Sequence, residues 1–206
     1  MMAVDEPLTL ACLADFLAGD YPRLRLYMGW TGFNTMARHC LAITDTPKVR
    51  LLSRHLPDFL DLTKPFSQSP ELSDLARLEK AFHAALNAPE TSIITQAPPR
   101  RFHIVLHPSV QRLQLRTNAA SIWAALTAGE LPPPPQRLDG PQELLVWRQG
   151  AASRFRILGR EESAALDATA RGEAIEINQS SDSFLRGWLE AGAISAVRDL
   201  NDASEK

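Results

Sequence analysis

Residues 101–147 read RFHIVLHPSVQRLQLRTNAASIWAALTAGELPPPPQRLDGPQELLVW. Phe102 to Leu106 is rich in aromatic and β-branched residues and reads as a strand. Val110 to Thr117 alternates, with Leu113 and Leu115 on one face, and reads as a second strand, so the two form a strand pair. Asn118 stands at an N-cap position and Gly129 at C′, which predicts a helix from Asn118 through Ala128. Pro132 to Pro135 cannot be helix or central strand and make a stiff extended connector. Glu143 to Arg148 and Arg154 to Leu158 then read as a hairpin across a loop containing Gly150.

The residues before this stretch have a helical period. Leu8 to Ala18 places Leu10, Leu13, Phe16 and Leu17 on one face, with Gly19 as a stop. Tyr21 to Leu41 is predicted helical through Leu24, Tyr27, Met28, Thr31, Thr35 and Cys40, although Gly29 and Gly32 each cost about 1 kcal/mol relative to Ala in a helix interior. Thr46-Pro47 reads as an N-cap followed by Pro at the first helical position. The helix it opens carries Val49, Leu51, Leu52 and Leu56 and then meets Pro57. Ser69-Pro70-Glu71 is the clearest helix start in the chain, with an acid at the positive dipole end. Leu72, Leu75, Leu78, Phe82, Ala85 and Leu86 build its apolar face, and Asn87 and Pro89 end it.

Downstream, Glu161 to Arg171 is an Ala-rich helix ended by Gly172. Ser181 or Asp182 opens a last helix through Leu189, and Gly192 leads into a closing strand from Ala193 to Val197. The fold class expected is α+β. Residues 1–99 form a helical module, docked on a winged-helix-like α/β module at 100–206 with a small antiparallel sheet. A length of 206 residues is comfortable for two small modules.

Hydrophobic content of 45% with 22% charged residues is that of an ordinary folded protein. The net charge of -2 argues against a dedicated nucleic-acid binder, but it hides an asymmetry. Arg100 to Arg160 holds nine Arg, no Lys and three acids, a net of +6, and Glu161 onward holds ten acids against four bases, a net of -6. Such blocks either steer partners of opposite sign or neutralise each other inside the fold. Cys12 and Cys40 are too few for a disulfide framework and read as buried thiols of a reducing compartment. Met1 to Pro7 lacks the basic region of a signal peptide, and no apolar run approaches the roughly 20 residues needed to span a bilayer. A cytoplasmic protein is expected, with no membrane partner.

Catalytic patterns are missing from the sequence. His39, His55, His83, His103 and His107 show no metal-ligand spacing, since four residues along a strand span about 13 Å. Asp58, Asp61, Asp74 and Glu79 could act as acid or base, but no nucleophile or oxyanion device accompanies them, and most of them read better as solvated faces or helix-end charges such as Asp74 with Arg77. The glycines form neither GxGxxG nor a Walker pattern. Trp123, Trp147 and Trp188 read as core. The Arg-rich stretch is the feature that asks for a partner: Arg101, Arg112, Arg116, Arg154 and Arg156 lie on or beside predicted strands and are the candidate peptide- or partner-binding residues. Alternation puts Arg154 and Arg156 on one hairpin face and Phe155 and Ile157 on the other.

Four groups of residues carry a family resemblance across most of the chain. They are Asp74-Leu75-Ala76-Arg77-Leu78-Glu79 with Phe82 and His83; Leu106-His107-Pro108-Ser109 with Ile122-Trp123; Leu145-Val146-Trp147-Arg148; and Leu189-Glu190-Ala191-Gly192-Ala193-Ile194. In that order they resemble the HvfC/BufC-like family, often labelled DNA-binding. The chain departs from the family at the N-terminus, where an Arg/Tyr-rich helix and a longer helical insert are usual. The shorter form is similar to the MbnC type, the partner subunit in methanobactin biosynthesis for copper acquisition. The resemblance implies no catalysis and no cofactor in this chain. It implies a heterodimer with a multinuclear non-haem iron oxidase that holds the iron, and a ribosomally made precursor peptide (a RiPP) whose cysteines become oxazolone and thioamide. It also implies the winged-helix fold shared with DNA-binding transcriptional regulators, which is the alternative function. The absence of Lys from the Arg-rich stretch weighs against nucleic acid as a partner.

Overall fold

A computed structural model describes residues 10–42, 49–93, 101–176 and 179–199. It is a mixed α+β protein, with most helices in the N-terminal half and the strands in the C-terminal half. Two compact units divide the chain. The first comprises residues 1–80 and 115–141, and the second 81–114 and 142–206. The division expected at 99/100 differs from this one, in which each unit takes up two separate stretches of sequence.

The first unit is helical. α1 (Leu10–Asp20) runs one residue past Gly19, and α2 (Pro22–Ala42) follows immediately. Gly29 interrupts α2 with φ 67° and ψ 167°, a backbone state that a side chain would strain. α3 (Val49–Leu62) passes through Pro57, where the sequence suggested a stop. Proline at 57 cannot donate to the carbonyl of Ser53, four residues earlier, and the Tyr21 hydroxyl donates to that carbonyl instead, at 2.5 Å. The expected Thr46-Pro47 cap lies outside the described residues.

α4 (Pro70–Leu86) starts with Pro at its first position, as expected, and Asn87 closes it by donating from Nδ2 to the His83 carbonyl at 2.8 Å. α5 (Ala119–Ala128) ends on Gly129 in the left-handed region. Asn118 holds the N-cap position but makes no side-chain cap bond. Its amide instead fastens the proline connector, donating to the Pro134 carbonyl at 3.0 Å and accepting from the Gln136 amide at 2.8 Å. Leu13, Leu17, Leu24, Phe33, Met36, Leu56, Leu60, Leu75 and Leu78 form the apolar interior, and burial pushes the Cys40 thiol up to about 12.

Asp74 and Glu79 are the main departure from the expectation of solvated acids. Asp74 is fully buried. Its Oδ1 accepts from Arg77 at 3.1 Å, the i,i+3 pairing expected, while Oδ2 accepts from the amides of Arg116 and Thr117 at 2.7 and 2.9 Å and the Thr117 hydroxyl at 2.9 Å. Glu79 accepts from the amides of Arg23 and Leu24 at 2.9 and 3.0 Å, so a side chain of α4 caps the open N-terminus of α2.

β1 (Arg101–Leu106), β2 (Gln111–Thr117), β3 (Arg137–Gln149), β4 (Ala152–Ile157), β5 (Ile175–Glu176) and β6 (Ile194–Asp199) form two three-stranded sheets, ordered β5-β1-β6 and β2-β3-β4. The expected β1–β2 pair does not form. β1 pairs antiparallel with β5 and β6, and β2 joins β3. In the second unit α6 (Arg160–Ala170) and α7 (Gln179–Glu190) contribute Leu166, Leu185 and Trp188 to a core with Ile104, Leu145, Trp147, Leu158, Ile175 and Ile194.

Glu79 supplies a test of the capping arrangement. Burial raises its pKa from 4.5 to about 7, against the lowering effect of the two amide bonds and Arg23. A carboxyl that holds its proton more tightly folded than unfolded contributes most stability below about pH 4.5 and loses that contribution as pH rises through about 7. The melting-temperature advantage of wild type over Glu79→Gln is therefore expected to shrink between pH 5 and 8, by the equivalent of about 3 kcal/mol. An advantage that grows with pH would show that the amide bonds outweigh burial.

Candidate functional site

The five arginines singled out in the sequence have different surroundings. Arg101 opens β1 opposite Glu176, and its side chain lies outside the described part of the chain. Arg112, on β2, is clasped by Glu143 of β3 at 2.8 Å and by Asp167 of α6. The bonds to Asp167 and Glu143 hold its pKa above the ordinary value. Glu143 also accepts from Ser163 and from Gln114, and donation from Ser163, Arg112 and Gln114 lowers its pKa to about 2. Arg116 donates to Asp61 at 2.6 Å and to the Ser73 hydroxyl at 2.9 Å, and Arg77 joins the same carboxylate. Burial pushes Asp61 up, but the bonds from Ser73, Arg116 and Arg77 outweigh it and bring Asp61 to about 2.

Arg156, on β4, donates to Glu162 of α6, which is buried and also accepts from the Trp188 indole N–H. Gly187 makes room for it: a Cβ there would lie 3.2 Å from Nη1 of Arg156. Arg154 is exposed and has no ion-pair partner among the described residues. The hairpin register explains the contrast. Arg156 lies opposite Leu145 and Arg154 opposite Trp147, so both share a face with core residues. Arg154 lies nearer the turn and reaches solvent, whereas Arg156 is drawn under α6 and α7. Two cations of the basic block, Arg112 and Arg156, are thus neutralised by Asp167 and Glu162 of the acidic block.

β4 is the end strand of its sheet. Gly150, at φ +61°, and Ala151 form a two-residue connection in the pattern of a type II′ turn. Leu158 donates its amide to the Glu143 carbonyl at 2.9 Å, and alternation along the ladder turns the N–H and C=O of Ser153 and Ile157 away from β3. Ile157 is 57% exposed. At β2, by contrast, Asp74 takes up the amides of Arg116 and Thr117. Phe82 covers part of β4, accepting from the Ser153 hydroxyl at 3.0 Å and packing on the Phe155 ring. The rest of the edge turns backbone groups outward beside exposed Arg154 and Ile157, the chemistry that an added strand requires.

One histidine contact escaped the sequence reading. His107 Nδ1 lies 2.8 Å from the Ser109 hydroxyl and accepts from the Ser109 amide at 3.1 Å; the same hydroxyl accepts from the Arg148 amide at 3.2 Å. Both side chains are buried, and burial, with Arg148 nearby, lowers the His107 pKa. The pair closes the turn after β1 and presents no accessible nucleophile. Its signal in the sequence was the His-Pro-Ser run, whose length suits a tight turn. Trp147 and Trp188 are core, as expected, while Trp123 is half-buried under the Arg23 guanidinium.

Among the described residues, no group of three or more His, Cys, Asp or Glu could hold a metal ion, and no helix is long and apolar enough to cross a membrane. Comparison with protein-family models gives no match, and comparison with curated protein sequences gives none either.

The two hairpin arginines are expected to separate on mutation. Arg156→Glu places a carboxylate against Glu162 and should cost about 3 kcal/mol in urea unfolding. Arg154→Glu should change stability by no more than about 0.5 kcal/mol. Equal losses would mean that Arg154 has a structural partner as well.

Proposed function

We propose that this chain is a non-catalytic, cytoplasmic partner subunit that binds a ribosomally made precursor peptide and an iron-dependent oxidase. The oxidase holds the iron and converts cysteines of the peptide in the methanobactin manner, to oxazolone and thioamide. The motif order quoted above supports the enzyme and the class of peptide. The observation that carries peptide binding is the edge of β4, with Arg154 and Ile157 exposed beside outward backbone groups.

On this reading the leader of the precursor adds to β4 as an extended strand. Main-chain hydrogen bonds supply affinity without regard to sequence, and the flanking side chains set register. Arg154 and Ile157 stand three positions apart and so project from opposite faces of the sheet. A fitting leader carries an acid for Arg154 and an apolar residue an odd number of positions away for Ile157. Arg112, Arg116 and Arg156 contribute indirectly, by holding β2 and β4 in place.

Titration with the leader peptide tests this reading. One charge-assisted contact is worth about 1.5–3 kcal/mol, so Arg154→Glu should weaken leader binding tenfold or more while the protein stays folded. Unchanged affinity would remove the β4 site. Duplex DNA at physiological salt should bind only weakly and without sequence preference; tight, selective binding would favour the transcriptional-regulator reading instead.

A further inference from the structure

α2 carries a second exposed cluster, in the first unit. Leu26 and Trp30 are 57% and 55% exposed, and the Arg25 guanidinium lies 6.0 Å from the centre of the Trp30 ring. Isolated exposed apolar residues are ordinary on a protein surface. A tryptophan, a leucine and an arginine gathered at one kink are not, because Trp and Arg are the residue types that dominate binding energy at interfaces. Gly29, in its left-handed conformation, forms the bend directly before Trp30. The opposite side of α2 is already committed, with Leu24, Phe33, Met36, Ala37 and Cys40 in the interior.

The charges on α2 indicate the kind of partner. Pro22 to Ala42 contains Arg23, Arg25 and Arg38 and no Asp or Glu. Arg23 is occupied, stacked over Trp123 and hydrogen-bonded to Thr127, whereas Arg25 and Arg38 are exposed. A two-fold contact between copies of this chain would set Arg25 against a like charge, which disfavours self-association here. A bilayer would have to accept the helix chiefly through Leu26 and Trp30, because Leu24, Phe33, Met36, Ala37 and Cys40 are buried.

We infer that the Leu26–Trp30 face of α2 is the docking surface for the oxidase subunit, which meets it with an apolar recess rimmed by carboxylates. This rests on the reading of the chain as an oxidase partner. Trp30 would fill the recess, and Arg25, held against its ring, would pair with the acidic rim. The face belongs to the first unit and the β4 edge to the second, so enzyme docking and leader binding use different residues.

The experiment measures the affinity of the purified full-length protein for the co-expressed oxidase and, separately, for the leader peptide, in wild type, Trp30→Ala and Arg25→Glu. Both altered side chains are exposed, and a melting curve checks that each variant is folded; Leu26→Ser replaces either one that is not. The expected result is oxidase binding weakened at least tenfold in each variant with leader affinity unchanged, and a wild-type affinity that falls as salt is raised. Oxidase affinity within twofold of wild type in folded variants overturns the docking surface. Failure of the wild-type protein to bind the oxidase at all overturns the functional reading on which it rests.

Discussion

The buried carboxylate of Asp74 is the contact on which the first unit most depends. That unit is assembled from residues 1–80 and 115–141, so a segment that leaves after α4 must be brought back and held. Asp74 does this by accepting from the amides of Arg116 and Thr117 and from the Thr117 hydroxyl, more than forty residues away in sequence. Removing a carboxylate from water is costly, and the cost is offset only when its lone pairs are met by donors. Arg77 on the other oxygen completes the set.

A similar economy governs the rest of the charge. The basic block at 100–160 is in good part internal material: Arg112 is held between Glu143 and Asp167, Arg116 against Asp61, and Arg156 against Glu162. Once these are paired, three of the nine arginines of the block are withdrawn from any partner. Arg154 is distinguished because it lies near a tight turn, on an end strand, beyond the reach of α6. Placement in the fold, and not residue type, makes it the candidate contact.

What was legible in the sequence follows from how local the physics is. Pro70 at a first helical turn and the glycines at 129 and 172 act within a few residues, and the helix boundaries they mark were found within a residue or two. The hairpin was legible because Gly150 and alternating apolar residues specify it at short range. Strand partnership was not. β1 is adjacent in sequence to β2 but pairs with β5 and β6, whose residues come from about seventy to nearly a hundred positions later. Pro57 misled because its remedy, the Tyr21 hydroxyl, comes from another helix. Asp74 and Glu79 misled because an acid reads as solvated until the distant donors that surround it are known. For the site, the sequence supplied the right residue types but could not separate Arg154 from Arg156, since the two share a face and differ only in what α6 and α7 cover.

The central claim is that the fold pairs Arg112, Arg116 and Arg156 internally and leaves the edge of β4 as the place where an extended peptide is received. Amide hydrogen exchange with and without the leader peptide tests it most directly. The account expects exchange to slow across residues 152–157 on peptide addition, with little change at 111–117. Protection confined to β2 or β6, with β4 exchanging as in the free protein, would contradict it.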